Sequence, residues 1–137
     1  MTSTIASSRT YEETIKDIET TFGSVPDFAK SIPKDSLEQM WPILKKYGLG
    51  DSVIPKKYRE MMALAAAAAM KCPYCQTFHK ENAKMLGATD EELNELALIV
   101  ANTSFWSAVL HTQNYDLNKF GEELQAIGSH MMSDTKK

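Results

Sequence analysis

Two cysteines occur in the 137 residues, three positions apart in Cys72-Pro73-Tyr74-Cys75, and His79 follows four residues after the second. On a helix, positions three and four apart share a face, so Cys72, Cys75 and His79 fall on successive turns of one side. A helix start supplies unpaired N–H groups and a partial positive charge, which favour the thiolate, and the thiolate is the nucleophile. On that argument Cys72, at the N-cap, is the better-activated sulfur. An imidazole one turn beyond Cys75 can take or return a proton near neutral pH. Two cysteines are too few for a disulfide scaffold, and a bridge at this spacing closes too short a loop to restrain the chain. The pair therefore points to redox or metal chemistry.

Glu60 lies twelve residues before Cys72. Along one straight helix the two would be separated by roughly 18 Å, out of reach. Pro73 lacks an amide donor and clashes with the preceding turn, so the helix should break near Lys71. If the chain doubles back there, Glu60 sits about 16 Å along one arm and His79 about 12 Å along the other. A glutamate side chain can cover that offset. Its carboxylate would then fix the imidazole tautomer and raise its basicity, as the third member of a nucleophilic triad does.

The elements that must position these groups read as helices throughout, with no strand signal. Thr10 and Glu13 form a capping box ahead of Tyr11, Ile15, Ile18 and Phe22, and Gly23 stops that segment. A short helix is predicted within Val25–Ser31. Another runs from Asp35 or Ser36 to Tyr47, with Leu37, Met40, Trp41 and Leu44 on its apolar face and Pro42 bending or restarting it. Pro55 opens a helix through Glu60 and the alanines of 63–69, whose small side chains let a neighbour approach closely. The next helix starts at Cys72 and ends at Gly87. Thr89 and Glu92 cap a long helix through Leu110, and a last one spans roughly Asp116–Ile127. The prediction is one all-α domain over 1–137 with a central antiparallel helix pair, a core at about 54–100, and disorder at 1–8 and 133–137.

Composition narrows the function classes. Apolar residues are 43%, charged residues 24% and the net charge −3, values of an ordinary globular chain that argue against nucleic-acid binding. The longest apolar run, Met61 to Met70, is ten residues, below the roughly 18 that span a bilayer, so no membrane partner is expected. Residues 1–9 carry no apolar export segment, and a cytoplasmic location is the expectation. Lys45, Lys46, Lys56 and Lys57 read as a solvated face. Phe78, Phe105 and Trp106 read as core residues that could instead line an apolar pocket, and His111 and His130 as structural or exposed.

Glu60, the Ala-rich helix and Cys72-Pro73-Tyr74-Cys75-Gln76-Thr77-Phe78-His79 together resemble the alkyl hydroperoxidase D (AhpD)-like members of the carboxymuconolactone decarboxylase superfamily. The likeness covers roughly Ile54 to Val100. It implies a thiol-dependent peroxidase with peroxiredoxin activity, in antioxidant defence, using no cofactor and no metal. Cys75 would attack the peroxide, Cys72 would resolve the sulfenic acid as a disulfide, and Glu60 and His79 would relay protons. The resemblance further implies a dithiol reductant, such as a lipoyl-bearing protein, and a homotrimer or a hexamer. Tyr74 stands where well-studied members carry a second histidine, and a phenol is a poor base near neutral pH. Three other readings stay open: a thiol–disulfide oxidoreductase or redox sensor without peroxide turnover, a zinc-binding helical module, and a decarboxylase or isomerase driven by Glu60 and His79 alone. On which thiol attacks, the helix-start argument and the resemblance disagree.

Overall fold

The computed structural model describes residues 9–134, and every regular element among them is helical. In chain order these are α1 (Tyr11–Phe22), α2 (Asp27–Lys30), α3 (Lys34–Leu44), a π-helical turn (Lys45–Leu49), α4 (Lys56–Ala69), α5 (Pro73–Met85), α6 (Asp90–Thr112) and α7 (Leu117–Asp134). Both predicted capping boxes are formed: Thr10 with Glu13 starts α1, and Thr89 with Glu92 starts α6. Predicted disorder at 1–8 and 135–137 lies outside the described residues. Ser133 and Asp134, expected to be disordered, are helical, because nothing after Ile127 stops α7; Gly128 lies inside it and the methionines that follow are good helix formers.

Helices α1 and α3 enclose a small core of Ile18, Leu37 and Trp41, flanked by Tyr11, Ile15, Val25 and Leu49. Met40 and Leu44, expected on the apolar face of α3, are exposed. The Asp17 carboxylate ties this region together, accepting from Trp41 Nε1 at 2.8 Å, Lys45 Nζ at 2.6 Å and Arg9 Nη1 at 2.7 Å. The Lys45 ammonium and then the Trp41 indole N–H hold its pKa down from 3.8 to about 2. Pro42 does not interrupt α3. The helix passes through it and widens three residues later into the π-helical turn, closed by Gly50 N–H on Lys45 O at 2.7 Å. Arg59 of α4 donates to the carbonyls of Tyr47 and Gly50, locking that turn onto the next helix.

Three successive helices end alike. After α4, α5 and α6, one residue enters the left-handed region: Lys71 at φ 56°, Gly87 at φ 86° and Asn114 at φ 47°. The following amide, of Cys72, Ala88 or Tyr115, reaches back to the carbonyl of Ala67, Ala83 or Leu110. This is the Schellman arrangement, which satisfies the last helical carbonyls while turning the chain. Glycine and asparagine tolerate such backbone readily; lysine is less common there.

The first of these corners folds α5 back along α4. The two touch near the corner, where Gln76 Nε2 donates to Ala67 O at 3.4 Å, and farther out between Glu60 and His79. Ala67 and Ala83 are fully buried. Helix α6 docks its first half on α4 through a 2.7 Å Lys57–Glu92 ion pair, so Lys57 is a bridge and not part of a solvated face. Lys45 is likewise engaged, by Asp17.

Beyond that point the chain covers little of itself. None of the 23 residues of α6 is fully buried, and Leu98, Ile99, Phe105 and Trp106 are each more than half exposed. Leu117, Ile127, Met131 and Met132 of α7 are as open. The expectation of core positions for Phe105 and Trp106 is thus corrected: both are more than half exposed, and none of the described residues buries that face. By length and composition α6 is also apolar enough to cross a membrane, which corrects the reading from uninterrupted runs. Its apolar residues are separated by small polar ones such as Asn102, Thr103 and Ser104, which break a run without making the helix polar.

Candidate active site

The corner between α4 and α5 brings all four sequence-selected residues into one region. Cys72 is the N-cap of α5, with Pro73 in the first turn, where its missing amide costs nothing. Cys72 Sγ lies 2.9 Å from Cys75 Sγ and accepts the backbone N–H of Cys75 at 3.4 Å. Both cysteines are free thiols and half-buried. Cysteine here does what serine or aspartate does at an ordinary N-cap, with sulfur as the acceptor.

These contacts split the two thiols. Cys72 is pushed below its ordinary pKa, first by the hydrogen bond from the Cys75 side chain, then by the backbone N–H of Cys75 and more weakly by that of Tyr74; burial opposes them. Cys75 is pushed upward, first by the same side-chain bond, with burial and the neighbouring Cys72 charge adding to it.

One turn beyond Cys75, His79 Nδ1 donates to Glu60 Oε2 at 2.7 Å. Glu60 is the most buried charged side chain of the site, with 6% exposure, and the imidazole is its partner. With Nδ1 committed to the carboxylate, Nε2 of a neutral ring is left to accept a proton. Phe78 packs edge-on against the imidazole, with 5.1 Å between ring centroids. The offset across the corner is covered by the Glu60 side chain, as the helix arithmetic required. Tyr74 is 86% exposed.

Among the described residues, no three of His, Cys, Asp and Glu converge as a metal-ligand set, so the zinc reading has no coordination sphere there. One feature lay outside the sequence reading, an open groove of about 540 Å³ between α4, α5 and α6, with Leu64, Ala68, Leu93, Ala97 and Val100 in its walls and Lys80 at α5. Gln76, next to Cys75, reaches it, but neither sulfur lines it. His111 lies far along α6, exposed, with Nδ1 on the Ser107 carbonyl at 2.8 Å.

Comparison with known proteins agrees with this architecture. The structure is similar to the alkylhydroperoxidase AhpD core from Rhodospirillum rubrum, with a TM-score of 0.67 and 23% identity, covering 78% of this chain and 82% of that one. A Paracoccus denitrificans protein described as "uncharacterized protein 4 in cox locus" is 28% identical over 76 residues, 56% of this chain and 68% of its own length. Residues 36–114, more than half of the chain and including the whole α4–α5 corner, match the sequence profile of the carboxymuconolactone decarboxylase family. The chain belongs to the carboxymuconolactone decarboxylase family and has the AhpD-like all-α fold.

Proposed function

We propose that the protein is a thiol-dependent peroxidase that reduces hydroperoxides through a Cys72–Cys75 disulfide cycle. The observation that carries this reading is the contact of two free thiols, one of them activated by a helix start, beside a histidine held by a buried carboxylate. A peroxide oxidises one thiolate to a sulfenic acid, the partner thiol condenses with it, and a dithiol restores the pair by exchange. A lipoyl-bearing protein is the reductant the family likeness favours, and a cytoplasmic location suits a cycle that needs both thiols reduced. The test is peroxide consumption with a dithiol reductant, comparing the wild type with Cys75→Ser and Cys72→Ser. Turnover that persists undiminished in either variant refutes the cycle.

A second reading, thiol–disulfide exchange without peroxide turnover, is favoured by Tyr74, which stands at the position directly before Cys75 where the family likeness implies a second histidine. It predicts a reversible Cys72–Cys75 bridge and no peroxide consumption above the rate of the reductant alone.

The working unit in this reading is a homo-oligomer, a trimer or a hexamer. The observation behind it is the open apolar face of α6, where Leu98, Ile99, Phe105 and Trp106 are each more than half exposed. A second copy is a better cover for α6 than a bilayer, because α6 opens with Asp90, Glu91 and Glu92 and its first half is already docked on α4.

A further inference from the structure

Helix α7 carries an apolar seam with a period of its own. Leu117, Phe120, Leu124, Ile127 and Met131 follow one another at alternating steps of three and four residues, the spacing that keeps one helix face against a partner helix. Leu117, Leu124, Ile127 and Met131 are exposed, and among the described residues no helix packs along α7. Phe120 is half-buried, edge-on to Tyr115 with 6.5 Å between ring centroids.

The two flanks of the seam differ. On one side lie Gly121 and Gly128, seven residues apart inside the helix. Glycine in a helix interior is less stable than alanine. A Cβ at either position would meet nothing within 4 Å, so no contact among the described residues requires the missing side chain. Glycine does allow a second backbone to come close. On the other side lie Glu123 and His130, also seven apart, with the Glu123 carboxylate accepting from the Tyr115 hydroxyl at 2.7 Å.

We propose that α7 pairs antiparallel with α7 of a second copy across a two-fold axis. In that register Leu124 packs against Ile127 of the second copy and Phe120 against its Met131, and the two-fold repeats both contacts. Gly121 then lies opposite Gly128 of the second copy, where the absent side chains let the two backbones approach. On the opposite flank Glu123 faces His130 of the second copy, a carboxylate against a group able to donate to it. A parallel pair would instead set Glu123 against Gly128 and lose both matches. The inference deepens the homo-oligomer of the proposed function and does not rest on its peroxide chemistry. A closed trimer contains no two-fold axis, whereas a hexamer built from three such pairs does.

The test is site-directed crosslinking of the full chain, with Cys72→Ser and Cys75→Ser removing the native thiols. Glu123→Cys combined with His130→Cys should, on mild oxidation, give a covalent dimer whose bridge tandem mass spectrometry places between positions 123 and 130. Within one helix those positions are about 10.5 Å apart along the axis, beyond disulfide reach, so the bridge reports on two chains. Leu117→Cys should give no dimer, because the two copies of position 117 lie at opposite ends of an antiparallel pair. A dimer from Leu117→Cys would make the pair parallel and overturn the proposal. Absence of the 123–130 bridge in a wild-type-like oligomer overturns the pairing alone, whether another surface of a second copy covers α7 or, by flotation with anionic phospholipid vesicles, a bilayer does. A wild type that sediments as a single chain ends the oligomer reading as well. The glycines supply a second measurement that does not threaten folding. Gly121→Ala with Gly128→Ala improves helix propensity yet fills the space the second backbone needs. It should weaken association tenfold or more in sedimentation, and unchanged or tighter association overturns the close approach.

Discussion

The α1–α3 region and the α6–α7 region are both helical and have opposite fates. In the first, Ile18, Leu37 and Trp41 close on one another, and the polar groups nearby, Asp17 above all, find partners in the same chain. In the second, 23 residues of α6 and the stripe of α7 are helical and mostly open. The α4–α5 corner stands between them and holds every named group of the site. The corner groups find their contacts within this chain, whereas most apolar residues of α6 and α7 stay exposed.

The contrast can be broken most severely at α7. Wild-type protein should sediment as an oligomer, with a thermal midpoint that rises with protein concentration, because association stabilises only the folded state. Leu124→Arg combined with Ile127→Arg should reduce the mass to one chain and abolish the concentration dependence. A wild type that sediments as a single chain at micromolar concentration would end the contrast. Next in size, Trp41→Ala removes a buried side chain and the indole donor to Asp17, and should cost about 3–5 kcal/mol in urea unfolding at fixed concentration. Sedimentation of that variant should show the assembly retained wherever it is folded.

Acid sharpens the same comparison. Asp17 is held at about 2 against an ordinary 3.8, so its contribution is present above pH 4 and fades as pH falls toward 2. That contribution is at most about 2 kcal/mol, and Asp17→Asn should remove it and flatten stability across this range. The smallest expected effects are at the capping boxes. Thr10→Ala and Thr89→Ala should each cost about 1 kcal/mol. Hydrogen exchange should place the first loss within α1 and the second at the start of α6.

Much of the corner was legible in the sequence because a few residues dictate it. Pro73 had to open a helix, Cys72 had to cap it, and the break then had to return His79 towards Glu60. Gly87 announced the turn into α6, and Thr89 with Glu92 its start. Lys71 gave no such warning, since lysine in left-handed backbone looks like any lysine. The π-helical turn after Pro42 was hidden as well, because its cause is the Arg59 clamp and the Asp17–Lys45 contact, both distant in sequence. Phe105 and Trp106 failed for a different reason. Apolar spacing says that a helix face will be covered, but it does not say which chain will cover it.

The backbone at Lys71 has a practical consequence for how this site tolerates change. Because the turn is made by the main chain at φ 56°, the lysine side chain is free to vary toward glycine or asparagine without disturbing either sulfur. A β-branched residue there would instead resist the left-handed twist and splay the two arms apart. The hinge angle is what sets the span between carboxylate and imidazole, so a residue with no chemistry of its own governs whether Glu60 and His79 can meet.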